Sequence, residues 1–294
     1  SAKKSLPGIK GASGFLKHRA LRILPAYYII LLITFFLSGA MSTFHYPDKT
    51  ANFISALTFQ PIYQAPGPFY LDDSGMYGVR WTLNYEVWFY LVVGLLIALP
   101  FRKVTTWLFF FITLVLVPLI GFDTFTFSPE GYQTGIARLN FITNPMIFLF
   151  LAGMGTGLAY PLLKRVNGPI MTALFMGALG LLFFLFSQGL FAEHGLLGSG
   201  WIYLLIMITA IGAEKSIGQY IPGFLVRLGD ISYSLYLIHT LMNTGIGKRF
   251  ESVGIAEGLP RFFVSCVLSL ILAWLSWRFI EKPFLSRRRV KSQQ

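Results

Sequence analysis

From Phe141 to Tyr160, and again from Pro169 to Leu190, the chain contains no Asp, Glu, Lys or Arg. Runs of that kind match the roughly 20 mostly apolar residues an α-helix needs to cross a bilayer. Their recurrence constrains the fold more than any other feature, because in hydrocarbon the backbone polar groups must be paired internally. Eight spans are predicted, near Arg19–Ala40, Thr82–Pro100, Val104–Gly121, Phe141–Tyr160, Pro169–Leu190, Trp201–Ala213, Ile231–Gly247 and Arg261–Glu281. Trp201–Ala213 is the shortest. A further stretch, Ala51–Tyr63, is too short to span and is expected to lie at the interface or re-enter. The expected fold class is all-α: a polytopic membrane helix bundle, one domain filling residues 1–294, without internal repeats.

Charge fits that class. Only 12% of residues are charged, about half of the quarter usual in soluble domains. The net charge of +12 could suggest nucleic acid, but no basic stripe is interleaved with stacking aromatics in a soluble segment. The even span count puts both termini on one face. That face and its loops hold eighteen Lys and Arg, against six on the other, so it is expected to be cytoplasmic. Cys266 is the only cysteine and sits in an apolar run, which excludes an internal disulfide. No metal site is expected.

Three stretches place ionisable or polar groups inside spans, where burial is costly and function is the default hypothesis. In FLKHRALRILPAYY (Phe15–Tyr28), Arg19 and Arg22 share a helix face, and Pro25 is expected to bend or break the helix. The pair is either a topological anchor or a clamp for an anion such as phosphate. In WTLNYEVWFYLVV (Trp81–Val93), Thr82 or Asn84 can cap a helix whose first turn holds Glu86. Otherwise Glu86 is aimed at an interior cavity as acid, base or hydroxyl ligand. In ISYSLYLIHTLMN (Ile231–Asn243), Ser232, Tyr236, His239 and Asn243 fall at helical spacings of four, three and four. That stripe reads as a wet interior path or as helix–helix hydrogen bonding. Trp81 and Tyr85 join Tyr236, Ser232 and Asn243 as candidate substrate-binding residues, with Glu86 and His239 as candidate catalytic groups. No phosphate-cradling glycine loop, His-Glu-x-x-His signature or nucleophile elbow is present. The residues alone leave a transporter equally open.

The order of FLKHRALRILPAYY, WTLNYEVWFYLVVGLL, FLFLAGMGTGLAY, LGDISYSLYLIHTL and WRFIEKPF along the chain resembles the acyltransferase 3 family of membrane O-acyltransferases. That resemblance implies transfer of an acyl group, often acetyl, from cytoplasmic acyl-CoA to a hydroxyl of a carbohydrate across the membrane. Lipopolysaccharide O-antigen, exopolysaccharide and peptidoglycan are among the acceptors it implies. Acyl-CoA would be a co-substrate with no permanently bound cofactor, and the location a bacterial inner membrane. Members of the family usually have ten spans, the first carrying an Arg followed by a His regarded as catalytic. This sequence begins at Ser1, after that point, so it is expected to be N-terminally incomplete by one or two spans. The matching implies Arg19 and Arg22 at the acyl-CoA phosphates, and Glu86 in a Trp-Ser-Leu-x-x-Glu-type motif with Thr82 where Ser is usual. The rival readings are a non-enzymatic flippase of a lipid-linked sugar, or an inactive remnant.

Overall fold

A computed structural model describes residues 8–38, 42–62, 66–71, 78–190, 193–252, 254 and 258–285. Among them there is no strand. The helices in chain order are α1 (Ile9–Ser38), α2 (Pro47–Thr58), α3 (Arg80–Ile97), α4 (Arg102–Phe111), α5 (Val117–Gly121) and α6 (Ala137–Ile142). They are followed by α7 (Ile147–Leu163), α8 (Gly168–Ser187), α9 (Trp201–Ile217), α10 (Gly223–Ser252) and α11 (Leu259–Ser276). Wider π turns join α4 to α5 at Ile112–Leu116, open α9 at Leu196–Gly200 and extend α11 at Trp277–Glu281.

Six helical segments are long and apolar enough to cross a membrane: Ile9–Leu37, Arg102–Gly121, Arg138–Leu163, Gly168–Ser187, Leu196–Tyr220 and Leu259–Leu285. They coincide with six of the eight predicted spans. The other two fall in α3 and α10, which are helical but carry Arg80, Asn84 and Glu86, and Ser232, Tyr236 and His239 respectively. The chain is therefore an all-α membrane protein with six such helices among the described residues.

The chain divides into two compact units. The first comprises residues 1–65, 70–106 and 224–294. Its core packs Ile23, Ala26, Tyr27 and Ile30 of α1 with Ala56 of α2, Leu83 of α3, Leu237 and Ile238 of α10, and Ala273 of α11. α1 and α3 pack closely because Gly94 has no Cβ: one built there would collide with Leu16. Of the bend or break expected at Pro25, the break does not occur: α1 runs through Pro25 as one helix, since membrane helices tolerate proline when neighbours answer the freed groups. Of the Ala51–Tyr63 stretch, Ala51–Thr58 belongs to the helix α2, which starts at Pro47; Tyr63 lies outside the described residues. The hydroxyls of Tyr27 and Tyr28 donate to the carbonyls of Ala56 and Leu57 at 2.8 Å each. Those carbonyls belong to the last turn of α2, which has no intrahelical donors left.

The second unit comprises residues 66–69 and 107–223. α8 starts at Asn167, whose side chain accepts from the backbone N–H of Ile170 at 3.2 Å, the capping geometry that satisfies a helix-start donor. α8 and α9 approach closely at Gly212, where a Cβ would sit 2.5 Å from Met171 Cγ. In apolar solvent such small-residue contacts replace the hydrophobic effect as the source of helix association.

Candidate active site

The first unit holds a chain of polar side chains between α1 and α3. The hydroxyl of Tyr90 donates to Glu86 Oε1 at 2.6 Å and accepts from Arg19 Nη1 at 3.3 Å. The Arg19 guanidinium lies 4.6 Å from the centre of the Tyr90 ring and 5.5 Å from that of Phe15, cation–π contacts that strengthen when water is excluded. Arg19 Nε is buried and has no hydrogen-bond partner. A buried guanidinium N–H left open costs the desolvation of that donor, so the position suits an acceptor brought by a ligand. Arg22, three residues on, is exposed.

This geometry corrects the capping reading of Glu86. α3 begins at Arg80 with Val79 as its N-cap and no acidic residue in the first turn. Glu86 is therefore past the reach of the helix-start N–H groups and takes its proton donor from Tyr90 instead. Thr82 is also not a cap. Its hydroxyl meets that of Tyr236, and both also bond the carbonyl of Val79, Tyr236 at 2.8 Å and Thr82 at 3.3 Å. These contacts tie α10 to the start of α3.

The remaining predicted residues are distributed unevenly. His239 is half-buried, with Nδ1 2.7 Å from the backbone oxygen of Tyr236 and its ring 5.8 Å from the Tyr236 ring. Trp81 meets Tyr85 edge-on at 6.3 Å, and Tyr85 is only 1% exposed. Ser232 is exposed. The side chain of Asn243 lies outside what is described. Among the described residues, no group of three or more His, Cys, Asp or Glu could hold a metal ion.

Several site residues escaped the sequence reading. Tyr90 stands four residues after Glu86 and so shares its helix face, a signal that was available. Tyr233 donates to the carbonyl of Ile23 at 3.0 Å. Ser234, fully buried, is hydrogen-bonded to Ser276 at 2.7 Å and to the carboxylate of Glu281. Glu281 is buried in the π turn of WRFIEKPF, and a carboxylate inside a span was its available signal. Arg80, 2% exposed, donates through Nη2 to Asn52 Oδ1 at 3.0 Å and Ser55 Oγ at 3.2 Å.

A family model described as an acyltransferase domain matches residues 5–278. The chain belongs to the acyltransferase 3 family. It is an acyltransferase by that membership, in a membrane-spanning form. It is similar to the exopolysaccharide production protein ExoZ of Rhizobium meliloti, at 27% identity over 94% of this chain and 82% of that one. An O-acetyl transferase of Shigella phage Sf6 is 24% identical over 94% of this chain and 78% of its own length. A Staphylococcus aureus protein provisionally named an O-acetyltransferase is also 24% identical, and the chain spans only 48% of that relative. No solved structure matches the chain.

Proposed function

We propose that this acyltransferase moves an acetyl group from cytoplasmic acyl-CoA to a hydroxyl of a carbohydrate on the opposite side of the membrane. The observation that carries the reading is the Arg19–Tyr90–Glu86 chain. It joins a guanidinium with an open buried donor on α1 to a carboxylate on α3. A cation with an unanswered N–H favours the phosphates of an anionic donor, with Arg22 beside it. Glu86, one turn from Tyr90, supplies charge or accepts a proton during transfer. Trp81 and Tyr236 line the approach of the acceptor. The relatives named for O-acetyl transfer and exopolysaccharide production support a carbohydrate hydroxyl as the acceptor. The excess of Lys and Arg on one face supports cytoplasmic termini for this chain, in an inner membrane. A flippase would share the polar interior but not the family's ordered motifs.

The test uses membrane vesicles from cells expressing the full-length protein, supplied with acetyl-labelled acetyl-CoA. Label should appear as an alkali-labile ester on surface carbohydrate, and Glu86→Gln should abolish most of it at equal protein abundance. Transfer that ignores acetyl-CoA, or that appears only on lipid, would overturn the reading.

A further inference from the structure

The first turns of α3 carry polar groups on two sides. Glu86 and Tyr90 face α1, and their hydrogen bonds close on Arg19. Arg80 turns instead to α2, where Asn52 Oδ1 and Ser55 Oγ accept from its Nη2 at 3.0 and 3.2 Å. Ser55 in turn donates to the carbonyl of Gln60. Asn84 follows Arg80 by four residues and so shares its helix face. It is 1% exposed, and neither its Nδ2 nor its Oδ1 has a hydrogen-bond partner among the described residues. It is not the helix cap that its sequence position allowed, because α3 already starts at Arg80. Glu86 cannot answer it either, since residues two apart on a helix face different ways.

A buried amide with both functions open has given up water at two atoms and gained nothing. The chemistry of the missing partner is narrow. A phosphate or carboxylate would answer the N–H groups alone, and an ammonium the oxygen alone, whereas hydroxyls both donate and accept. The neighbours on this face have the matching character. Trp81 stands three residues before Asn84 and Trp88 four after, and both are half-buried. Indole rings offer flat apolar area on which the C–H face of a sugar packs, with a polar group between them to fix its orientation.

We infer that Asn84, flanked by Trp81 and Trp88, binds a pair of neighbouring hydroxyls on the carbohydrate acceptor. This deepens the acyl-transfer reading above and rests on it. In the orientation that the Lys and Arg excess supports, α3 starts on the extracytoplasmic side. Asn84 then stands about 9 Å nearer that side than Tyr90 along the helix axis. Acceptor and anionic donor therefore meet α3 at different levels and on different faces. Both amide atoms are shut off from solvent, so the sugar reaches them by displacing a half-buried neighbour such as Trp81. An acceptor without those hydroxyls leaves the amide open and is discriminated against for that reason.

The test uses right-side-out vesicles containing the full-length protein, loaded with acetyl-labelled acetyl-CoA. They are offered surface polysaccharide from the cells of origin, freed of its esters by mild alkali. Asn84→Ala and Asn84→Leu are compared with wild type, the second filling the space that the first leaves. Both should accumulate normally and raise the half-saturating polysaccharide concentration about 10- to 100-fold. Turnover at saturation and the KM for acetyl-CoA should stay at wild-type values. Thermal unfolding in detergent is the readout that a structural role would move. Because no hydrogen bond within the protein is lost, at least one variant should unfold at or above the wild-type temperature. If both unfold well below it, or neither accumulates, Asn84 serves the fold and the inference fails. It fails equally if half-saturation does not move, or if the KM for acetyl-CoA rises in its place. A wild type that forms no ester on the polysaccharide overturns the acyl-transfer reading and the acceptor site with it, an outcome distinct from any change confined to the variants.

Discussion

The two units differ in how far their hydroxyl groups reach. In the second unit, Thr156, Thr172 and Thr209 each return their hydroxyls to carbonyls four residues back on the same helix, at 2.8–2.9 Å. Thr113 does the same. The longer side-chain ties there are few, such as the surface pair of Lys164 and Glu214 at 3.2 Å. In the first unit, Thr34, Thr50, Thr58, Thr105 and Thr106 behave that way too, but Thr82, Tyr233, Tyr236 and Ser234 reach helices far away in sequence. A hydroxyl answered by its own helix lets a span sit in lipid with no polar partner. One answered across helices builds a polar interior, and removing it leaves another buried group exposed to apolar surroundings. Burial differs most between α1 and α8, 39% against 6% of their most apolar stretches, while the other four membrane-length segments, that of α11 included, stand alike at 22%. Chemistry in this protein is therefore expected of the first unit, and membrane embedding of the second.

That contrast can be broken most sharply at Glu86. Glu86→Gln should lower ester formation by about 10²–10⁴-fold with abundance unchanged, and a near-normal rate would remove catalysis from the α1–α3 interface. Next in size is the joint replacement of Arg19 and Arg22 by Gln. Each charged hydrogen bond to a phosphate contributes roughly 1.5–3 kcal/mol, so acyl-CoA affinity measured by titration should fall steeply while insertion persists. Unchanged affinity would reduce the pair to an anchor. Ser234→Ala should destabilise the protein by about 1–3 kcal/mol, because Glu281 loses its buried partner; thermal unfolding in detergent reads this, and an unmoved transition would show that the α10–α11 clasp holds little. The smallest effect belongs to the second unit. Glu214→Gln breaks an exposed pair, whose side chains are 36% and 51% accessible, and exposed ion pairs contribute little. Neither turnover nor the unfolding transition should change, and a loss of activity there would erase the distinction between the units.

Much of the candidate site was legible from residue type and spacing. Arg19 and Glu86 declared themselves as ions within spans, and His239 as a polar group on a helical stripe with Tyr236. Ser232 shows the limit of such periodicity: spacing put it on that stripe, yet it is exposed. Helical period says which residues share a face, not what the face meets. Tyr90 was overlooked because a tyrosine in an aromatic-rich span reads as membrane packing until a carboxylate is seen 2.6 Å away.

The sequence by itself determined that this chain is a helical membrane protein of the acyltransferase 3 family. Uninterrupted apolar runs leave the backbone no other way to satisfy its polar groups, and the motif order spans nearly the whole chain. Only the tertiary structure decided the pairings: Arg19 with Tyr90, Thr82 with Tyr236, and Ser234 with Glu281. Their partners are 71, 154 and 47 residues apart, far beyond any helical period. Bonds of that kind are set by which helices pack together, and for α3 and α10 that depends on cross-helix contacts that no local pattern of residues encodes.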